Sequence, residues 1–592
     1  MKSDLCGWTG SVLHIDLQRG ESRTEHPGPD FYATYCGGRA MAGAYLRPHC
    51  TRQWDHPQMP VCIFAGPLTG TAAPASGRAS LMTRSPLTGT VIDSPLGGRL
   101  ATQLKQAGWD GIVITGTAET LVGIEIRDQR VSIVDAEPHQ GAQTSEVFDS
   151  LHELMPPDAS VACIGPAGEH RSPMASIMVD RYHPAGRGGL GASLGARNLK
   201  YLMVTGSGDV TVYDPEKLAE AGCEIMRLAA ASPALMGPNG FARNGTAALL
   251  DLTDSRRMMP TDNFSKTHFP AAHALNAPAF NARYHARPHG CEGCPIHCHR
   301  MADDARSIPD FVSLSHLTAL IGNTDMELTM KAFDLLNRLG LDAVSAAGTL
   351  ACVREITGRD FDENTLLPAL HEMASGKGPG AGSRRYAAEH GEPERSMTSK
   401  GLELPAFDPR GAYGTALAVA VSTVGGCDQH AYPASHEILR KPVATDRFTF
   451  SGKARIIKTS EDVLAAADSL TACRFIFLAA GLEEYAKAVS AVTGMDMDLK
   501  TLQIIGERAC FNERTMNALN GFDATHDDLP PRFFTEEGSS GDGIRMSPLN
   551  REQFLLARAA YCHIRGLDEK GLPLKEKAHE LGMEPMQDGD SA

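Results

Sequence analysis

Cys291-Glu292-Gly293-Cys294-Pro295-Ile296-His297-Cys298 is a C-x2-C-x3-C run. Three thiolates on so short a loop can hold three corners of an iron–sulfur cubane, leaving the fourth iron to a cysteine elsewhere in the chain. The same run could instead bind zinc by recruiting His297 or His299. Its order is the reverse of the C-x3-C-x2-C of radical S-adenosylmethionine chemistry.

A second chemical signal is a set of glycine, proline and arginine loops: Ala65 to Gly70, Ser76-Gly77-Arg78, Thr83 to Gly89, and Ala185-Gly186-Arg187-Gly188-Gly189-Leu190-Gly191. Glycines let backbone N–H groups approach an anion, and an adjacent arginine can bind phosphate bidentately. Together they point to a phosphorylated cofactor. Gly186-x-Gly188-Gly189-x-Gly191 is a poor dinucleotide fingerprint, because no strand–turn–helix context is evident around it.

These residues need a scaffold. The chain has 592 residues, enough for about two to four domains. It carries 56 Lys and Arg against 71 Asp and Glu, a net charge of −15, which argues against general nucleic-acid affinity. The opening Met1 to Cys6 leads into Gly, Thr and Ser without an apolar run, so no signal peptide is read and a cytoplasmic protein is expected. The longest charge-free apolar segment, Gly411 to Cys427, is interrupted by Gly, Thr and Ser, so no membrane span is expected. Fourteen cysteines in such a chain are expected to stay reduced or to hold metal.

Short apolar runs bounded by turn residues predict strands at Val12 to Leu17, Ser22 to His26, Val61 to Ala65, Ser80 to Arg84, Gly111 to Thr115, Val122 to Arg127, Val131 to Val134, Ser160 to Ile164 and Tyr201 to Thr205. From about Val210 the spacing turns helical, at Pro215 to Ala231, Met326 to Leu339, Leu341 to Ile356 and Glu461 to Leu470. The fold class is α+β: a β-rich domain over 1–210, then two mainly α-helical domains over 211–415 and 416–592. Ser375 to Gly382 and Thr535 to Gly543 are linker candidates.

On these motifs the chain resembles the aldehyde ferredoxin oxidoreductase family of tungsten- or molybdenum-pterin enzymes. The loops and the cysteine run match that family in order, as do Gly7-Trp8-Thr9-Gly10, Arg197-Asn198-Leu199-Lys200, Leu339-Gly340-Leu341-Asp342, Gly506-Glu507-Arg508, Leu529-Pro530-Pro531-Arg532 and Arg565-Gly566-Leu567-Asp568. The resemblance implies a metal held by two pterins between the β-rich base and the helical domains. Arg78, Gly97, Gly186 and Arg187 would hold the pterins from the base. Above them, the family's D-x-x-G-L-D element reads Asn337-Arg338-Leu339-Gly340-Leu341-Asp342, and its D-x-x-G-L-C element reads Asp468-Ser469-Leu470-Thr471-Ala472-Cys473. Asn337, Asp342, Asp468 and Ala472 are thus implied pterin contacts, with Mg bridging the pterin phosphates. Cys473 is implied as the fourth ligand of a [4Fe-4S] cluster on Cys291, Cys294 and Cys298.

Departures from the family gather at the chemistry. Pro95-Leu96-Gly97-Gly98 stands for N-S-G-G, and His183 for an arginine. The P-E-Y-E element reads Pro309-Asp310-Phe311-Val312, so its second carboxylate is lost. The R-G-x-x-H element reads Val424-Gly425-Gly426-Cys427-Asp428, followed by Gln429 and His430. Asp428, His430 and Asp310 are therefore the candidate acid/base residues. The expected activity is a two-electron oxidation or reduction of an aldehyde, carboxylate or other small organic substrate, with electrons passed to ferredoxin or a ferredoxin-like subunit in a homodimer or hetero-oligomer. The alternatives are an electron-transfer subunit that keeps the cluster without pterin catalysis, and a zinc-structured binding protein.

Overall fold

The computed structural model describes residues 5–153, 155–539 and 543–586; Met1 to Asp4 and part of the Thr535 to Gly543 stretch lie outside them. The first third folds as two six-stranded sheets. The first contains β1 (Val12–Asp16), β2 (Glu21–Glu25), β3 (Val61–Phe64), β4 (Ala79–Arg84), β5 (Val91–Leu96) and β6 (Gly111–Thr115), in the order β2-β1-β6-β3-β4-β5. The second contains β7 (Val122–Arg127), β8 (Arg130–Asp135), β9 (Ser160–Ile164), β10 (Ile177–Val179), β11 (His183–Ala185) and β12 (Leu199–Thr205), in the order β11-β10-β9-β12-β7-β8. Each sheet holds one parallel pair, β1 with β6 and β7 with β12, and is otherwise antiparallel.

Side chains alternate across each strand, and both faces of the first sheet are apolar. Leu13, Ile63, Leu81 and Ile112 pack with Ile124, Ile164 and Leu202 of the second sheet. Val12, Cys62, Met82 and Val113 pack the other way, with Ala465, Ala466, Ile505 and Met516 of the helices Lys453–Ser469 and Leu499–Leu519. The base is thereby fused to the helical part by shared core. Those two helices approach so closely that a Cβ on Gly506 would sit 1.9 Å from the Asp462 carbonyl oxygen, so only glycine fits there.

The α+β reading holds: strands fill the first third and helices dominate the rest. Pro215–Ala231 and Met326–Leu339 form as expected. The helix expected from Glu461 begins at Lys453, because Ala454 and Ile457 are also buried. Three strands of the two large sheets escaped the sequence reading: β5, β10 and β11. β5 carries Pro95 at a sheet edge, where no ladder partner is lost, and β10 and β11 span only three residues each. Gly186-x-Gly188-Gly189-x-Gly191 does connect a strand to a helix, Leu190–Gly195, but β11 is an antiparallel edge strand and the helix has six residues. No dinucleotide-binding βαβ unit results. Ser375 to Gly382 contains a short helical turn, Gly378–Ala381, with Gly380 buried, so it is packed structure rather than a free linker. Among the described residues, no helix is long and apolar enough to cross a membrane.

Candidate active site

The cysteine loop is held by a small sheet of β13 (Arg287–His289), β14 (His299–Met301) and β15 (Ser307–Ile308), in which His289 pairs with His299. That pairing fixes both ends of the Gly290 to Cys298 loop, where the sequence suggested only a connection between helical regions. Cys473 arrives from the opposite side, its backbone N–H donating to the Ala75 carbonyl at 2.8 Å. All four thiols line one cavity. Burial and the proximity of Cys473 and Cys291 push the Cys294 thiol up to about 12. Burial and Cys291, opposed by Arg78, do the same for Cys298. Arg78 Nη1 lies 3.8 Å from Cys473 Sγ. Burial also raises the Cys473 thiol, and thiols held protonated in this way become ligands when a polynuclear cation supplies the charge. Among the described residues, no three Cys, His, Asp or Glu side chains converge as a single ion requires; a cubane instead asks each thiolate to reach a different iron.

Two loops descend to the cavity from helix C-termini, and their backbones match. At the end of Met326–Leu339, Gly340 is left-handed (φ 71°), its N–H bonds the Asn337 carbonyl at 3.2 Å, and Leu341 N–H reaches back to Leu336 at 2.9 Å. At the end of Lys453–Ser469, Thr471 is left-handed (φ 58°), its N–H bonds Asp468 at 3.2 Å, and Ala472 N–H reaches Ala467 at 2.9 Å. This is the same Schellman cap twice, and it aims Asp342 in one loop and Cys473 in the other at the cavity. Each loop sits on a glycine of a different sheet unit. A Cβ on Gly165 would meet the Leu339 carbonyl oxygen at 2.4 Å, and one on Gly38 the Asp468 carbonyl oxygen at 2.1 Å.

The cavity encloses about 2000 Å³ of empty space, part of it open to solvent. Arg78, Gly97, Gly186, Arg187, Asn337 and Asp342 line it together with Asp310, Asp428 and His430. Asp468 and Ala472 are buried behind the wall, where Asp468 accepts from Arg474 Nε at 2.9 Å. Gly97 admits the cysteine loop: a Cβ there would lie 3.0 Å from Cys291 Sγ and 3.1 Å from His183 Nδ1. Around Gly186 the protein leaves space, the nearest atom to a Cβ being Asp342 Oδ1 at 3.4 Å. The Nε atoms of Arg78 and Arg187 are buried without a hydrogen-bond partner. Two arginines in the wall with an unpartnered Nε each, an open glycine cradle and a large void suit a big anionic cofactor.

Of the three acid/base candidates, Asp428 lies in the cavity wall almost without solvent. It is 2% exposed, and burial, offset by Arg187 and Arg474, raises its carboxyl to about 6. His430 is held from both sides, with Nδ1 3.3 Å from Ser422 Oγ and Nε2 2.9 Å from Asp93 Oδ1. Asp310 caps the helix Phe311–Ser315, accepting from Ser313 N–H at 2.9 Å.

The sequence matches the family profile for the aldehyde ferredoxin oxidoreductase N-terminal domain over residues 12–206, and that for domains 2 and 3 over residues 220–583. The chain belongs to the aldehyde ferredoxin oxidoreductase family. It is 34% identical to the tungsten-containing aldehyde ferredoxin oxidoreductase of Pyrococcus furiosus, covering 97% of this chain and 98% of that one. Similarity to the enzyme of the same name from Thermococcus kodakarensis is 33% with the same coverage. An aliphatic sulfonate oxidoreductase, WOR-like subunit, of Pyrococcus furiosus is 26% identical over 97% of each chain. The fold is shared with a solved structure described as the active site complex BamBC of benzoyl coenzyme A reductase with 1,5-dienoyl-CoA, at a TM-score of 0.81, 21% identity, and coverage of 98% and 97%.

Against the pattern of the aldehyde ferredoxin oxidoreductase family, the structure exposes residues the sequence reading passed over. Asp93 is buried among Arg39, Arg474 and His430, at 3.8, 3.5 and 2.9 Å. Burial opposes its ionisation, but Arg39, the contact with His430, and Arg474 hold its carboxyl well below the usual carboxylate range. Arg39, fully buried, donates to Glu513 at 2.6 and 2.7 Å and to Asp468 at 3.3 Å. No local motif marks these residues; their sequence separations run to hundreds. His183, standing for the family arginine, stacks on His289 with ring centroids 5.4 Å apart. Burial and then His299 bring it down to about 3, so a neutral imidazole replaces a cation beside the cysteines.

Proposed function

We propose that this oxidoreductase-family chain binds a tungsten (or molybdenum) bis-pterin in the large cavity and a [4Fe-4S] cluster on Cys291, Cys294, Cys298 and Cys473. Its reaction would be the two-electron oxidation or reduction of an aldehyde or related small organic substrate. The observation that carries the reading is the meeting, in one cavity, of four thiols from two distant segments with Arg78, Arg187 and the twin loops bearing Asp342 and Cys473. When bound, the metallopterin supplies the two-electron chemistry and the cluster the one-electron steps. The tungsten-containing relatives support that cofactor. Ferredoxin or a ferredoxin-like subunit is the proposed partner, as the family's name implies.

The chain's own residues position and handle protons. Arg78 and Arg187 bind the anionic cofactor from the base, Gly97 and Gly186 leave it room, and Asn337, Asp342, Asp468 and Ala472 form or brace the loops above. Oxidising an aldehyde to an acid consumes water and releases protons, and Asp428 accepts one at its carboxylate. Asp93 and Ser422 fix the orientation of His430 beside it. The loss of a carboxylate at Val312 favours a second reading, a cluster-bearing electron-transfer subunit. Counting metals in anaerobically purified protein separates the two. About four irons with one tungsten or molybdenum per chain is the expected result; four irons with neither, after growth on both, selects the second reading. Cys473→Ala should lower the iron content and bleach the brown chromophore while zinc stays absent.

A further inference from the structure

A second chamber adjoins the first, with Gln429, Tyr432, Arg474 and Phe475 in the walls of both. Its sides are apolar, built from Leu439, Ile456, Val463, Leu464, Phe477 and Leu482. Its charged lining is of one sign: Lys441, Arg455 and Arg474 contribute, and no Asp or Glu does, in a chain with a net charge of −15. Arg474, in the shared wall, is committed to Asp468 and Asp93. Lys441 and Arg455 are exposed at the outer end. Neither is ion-paired to a carboxylate among the described residues, whereas Lys453 and Lys458, on the same helix as Arg455, are paired with Glu437 at 2.8 Å and with Asp462 and Glu507 at 2.7 Å. His436 is tied to the Val443 carbonyl, and burial lowers its pKa, so it adds no charge at neutral pH.

An apolar passage with two free cations at its outer end selects on both counts. The walls gain by taking apolar surface from water, and the unpaired cations gain a charge-assisted contact that they lack in the free protein. We propose that this chamber is the substrate-binding passage for amphiphilic anions: an apolar chain lies along it, the reacting carbon passes Gln429 and Tyr432, and an anionic group at the far end rests on Lys441 and Arg455. Which end reacts rests on the redox function proposed above; binding in the chamber does not.

Two measurements on the full-length holoprotein test this. In anaerobic calorimetry, wild type should bind decanoate at least about tenfold more tightly than decanol, the factor that one charge-assisted contact supplies. The double variant K441Q/R455Q should lose that difference, and K441R/R455K should keep it. Equal affinities in wild type, or a preference that survives in K441Q/R455Q, would overturn the proposal. In turnover with benzyl viologen, 10-oxodecanoate should show about a tenfold lower KM than decanal, and equal KM values would also overturn it. If neither aldehyde is oxidised while decanoate binding still depends on the two cations, the redox reading falls and the chamber stands.

Discussion

Asp428 is where a single side chain decides most. A carboxyl raised to about 6 can act as a base near neutral pH and fail below it. For the proposed aldehyde oxidation, kcat/KM should therefore fall as pH drops through about 6, and Asp428→Asn should cost about 10²- to 10⁴-fold in steady-state assays. The stability effect has the opposite sign. The folded protein holds this proton more tightly than the unfolded chain does, so Asp428 costs nothing below about pH 4 and progressively more as pH rises to about 6. At pH 8 the cost approaches roughly 3 kcal/mol. Asp428→Asn should accordingly raise the thermal midpoint at pH 8 and change it little at pH 4. An unchanged midpoint at pH 8 would mean that the carboxylate is compensated in the fold.

At the scale of elements, the decisive feature is the repeated Schellman cap. Gly340 and Thr471 occupy equivalent left-handed positions, yet only one is glycine. A β-branched residue at positive φ is costly, and the Thr471 hydroxyl is anchored to Thr69 at 2.7 Å. Gly340 has no such latitude, because a Cβ there would come within 2.8 Å of the Gly165 backbone nitrogen. Gly340→Ala should therefore destabilise by about 1–3 kcal/mol and displace Asp342. Calorimetry and metal analysis of that variant should show a lower midpoint together with reduced tungsten or molybdenum but undiminished iron, since the cluster cysteines lie on other segments.

At the scale of the whole molecule, Arg39 joins parts that sequence keeps apart. It leaves the base to meet Glu513 and Asp468 of the helical region, and it sits 3.8 Å from Asp93 in β5. Thr423 adds a 2.6 Å bond to Glu513. Removing the cation leaves buried carboxylates uncompensated, a loss of about 3–5 kcal/mol. Arg39→Met should lower the thermal midpoint and speed proteolysis between base and helices. Because Asp93 also orients His430, activity should drop further than cofactor loss accounts for.

The residues alone carry what is local. Cysteine spacing, glycine–arginine loops, strands alternating along a few residues and long helical repeats all act within one turn or one ladder, and composition already limited the nucleic-acid and membrane readings. Val312 and Asp428 were likewise visible as departures at known positions. Tertiary structure decided what depends on distant partners. It showed that Asp428 is buried enough to titrate near neutrality and that Asp310 caps a helix at the cavity wall. It also showed that His430 is clamped by an aspartate hundreds of residues earlier, and that Lys441 and Arg455 face an apolar chamber with no carboxylate. The physical reason is that burial and charge balance are sums over neighbours, and in this chain the neighbours come from segments as far apart as Arg39 and Glu513.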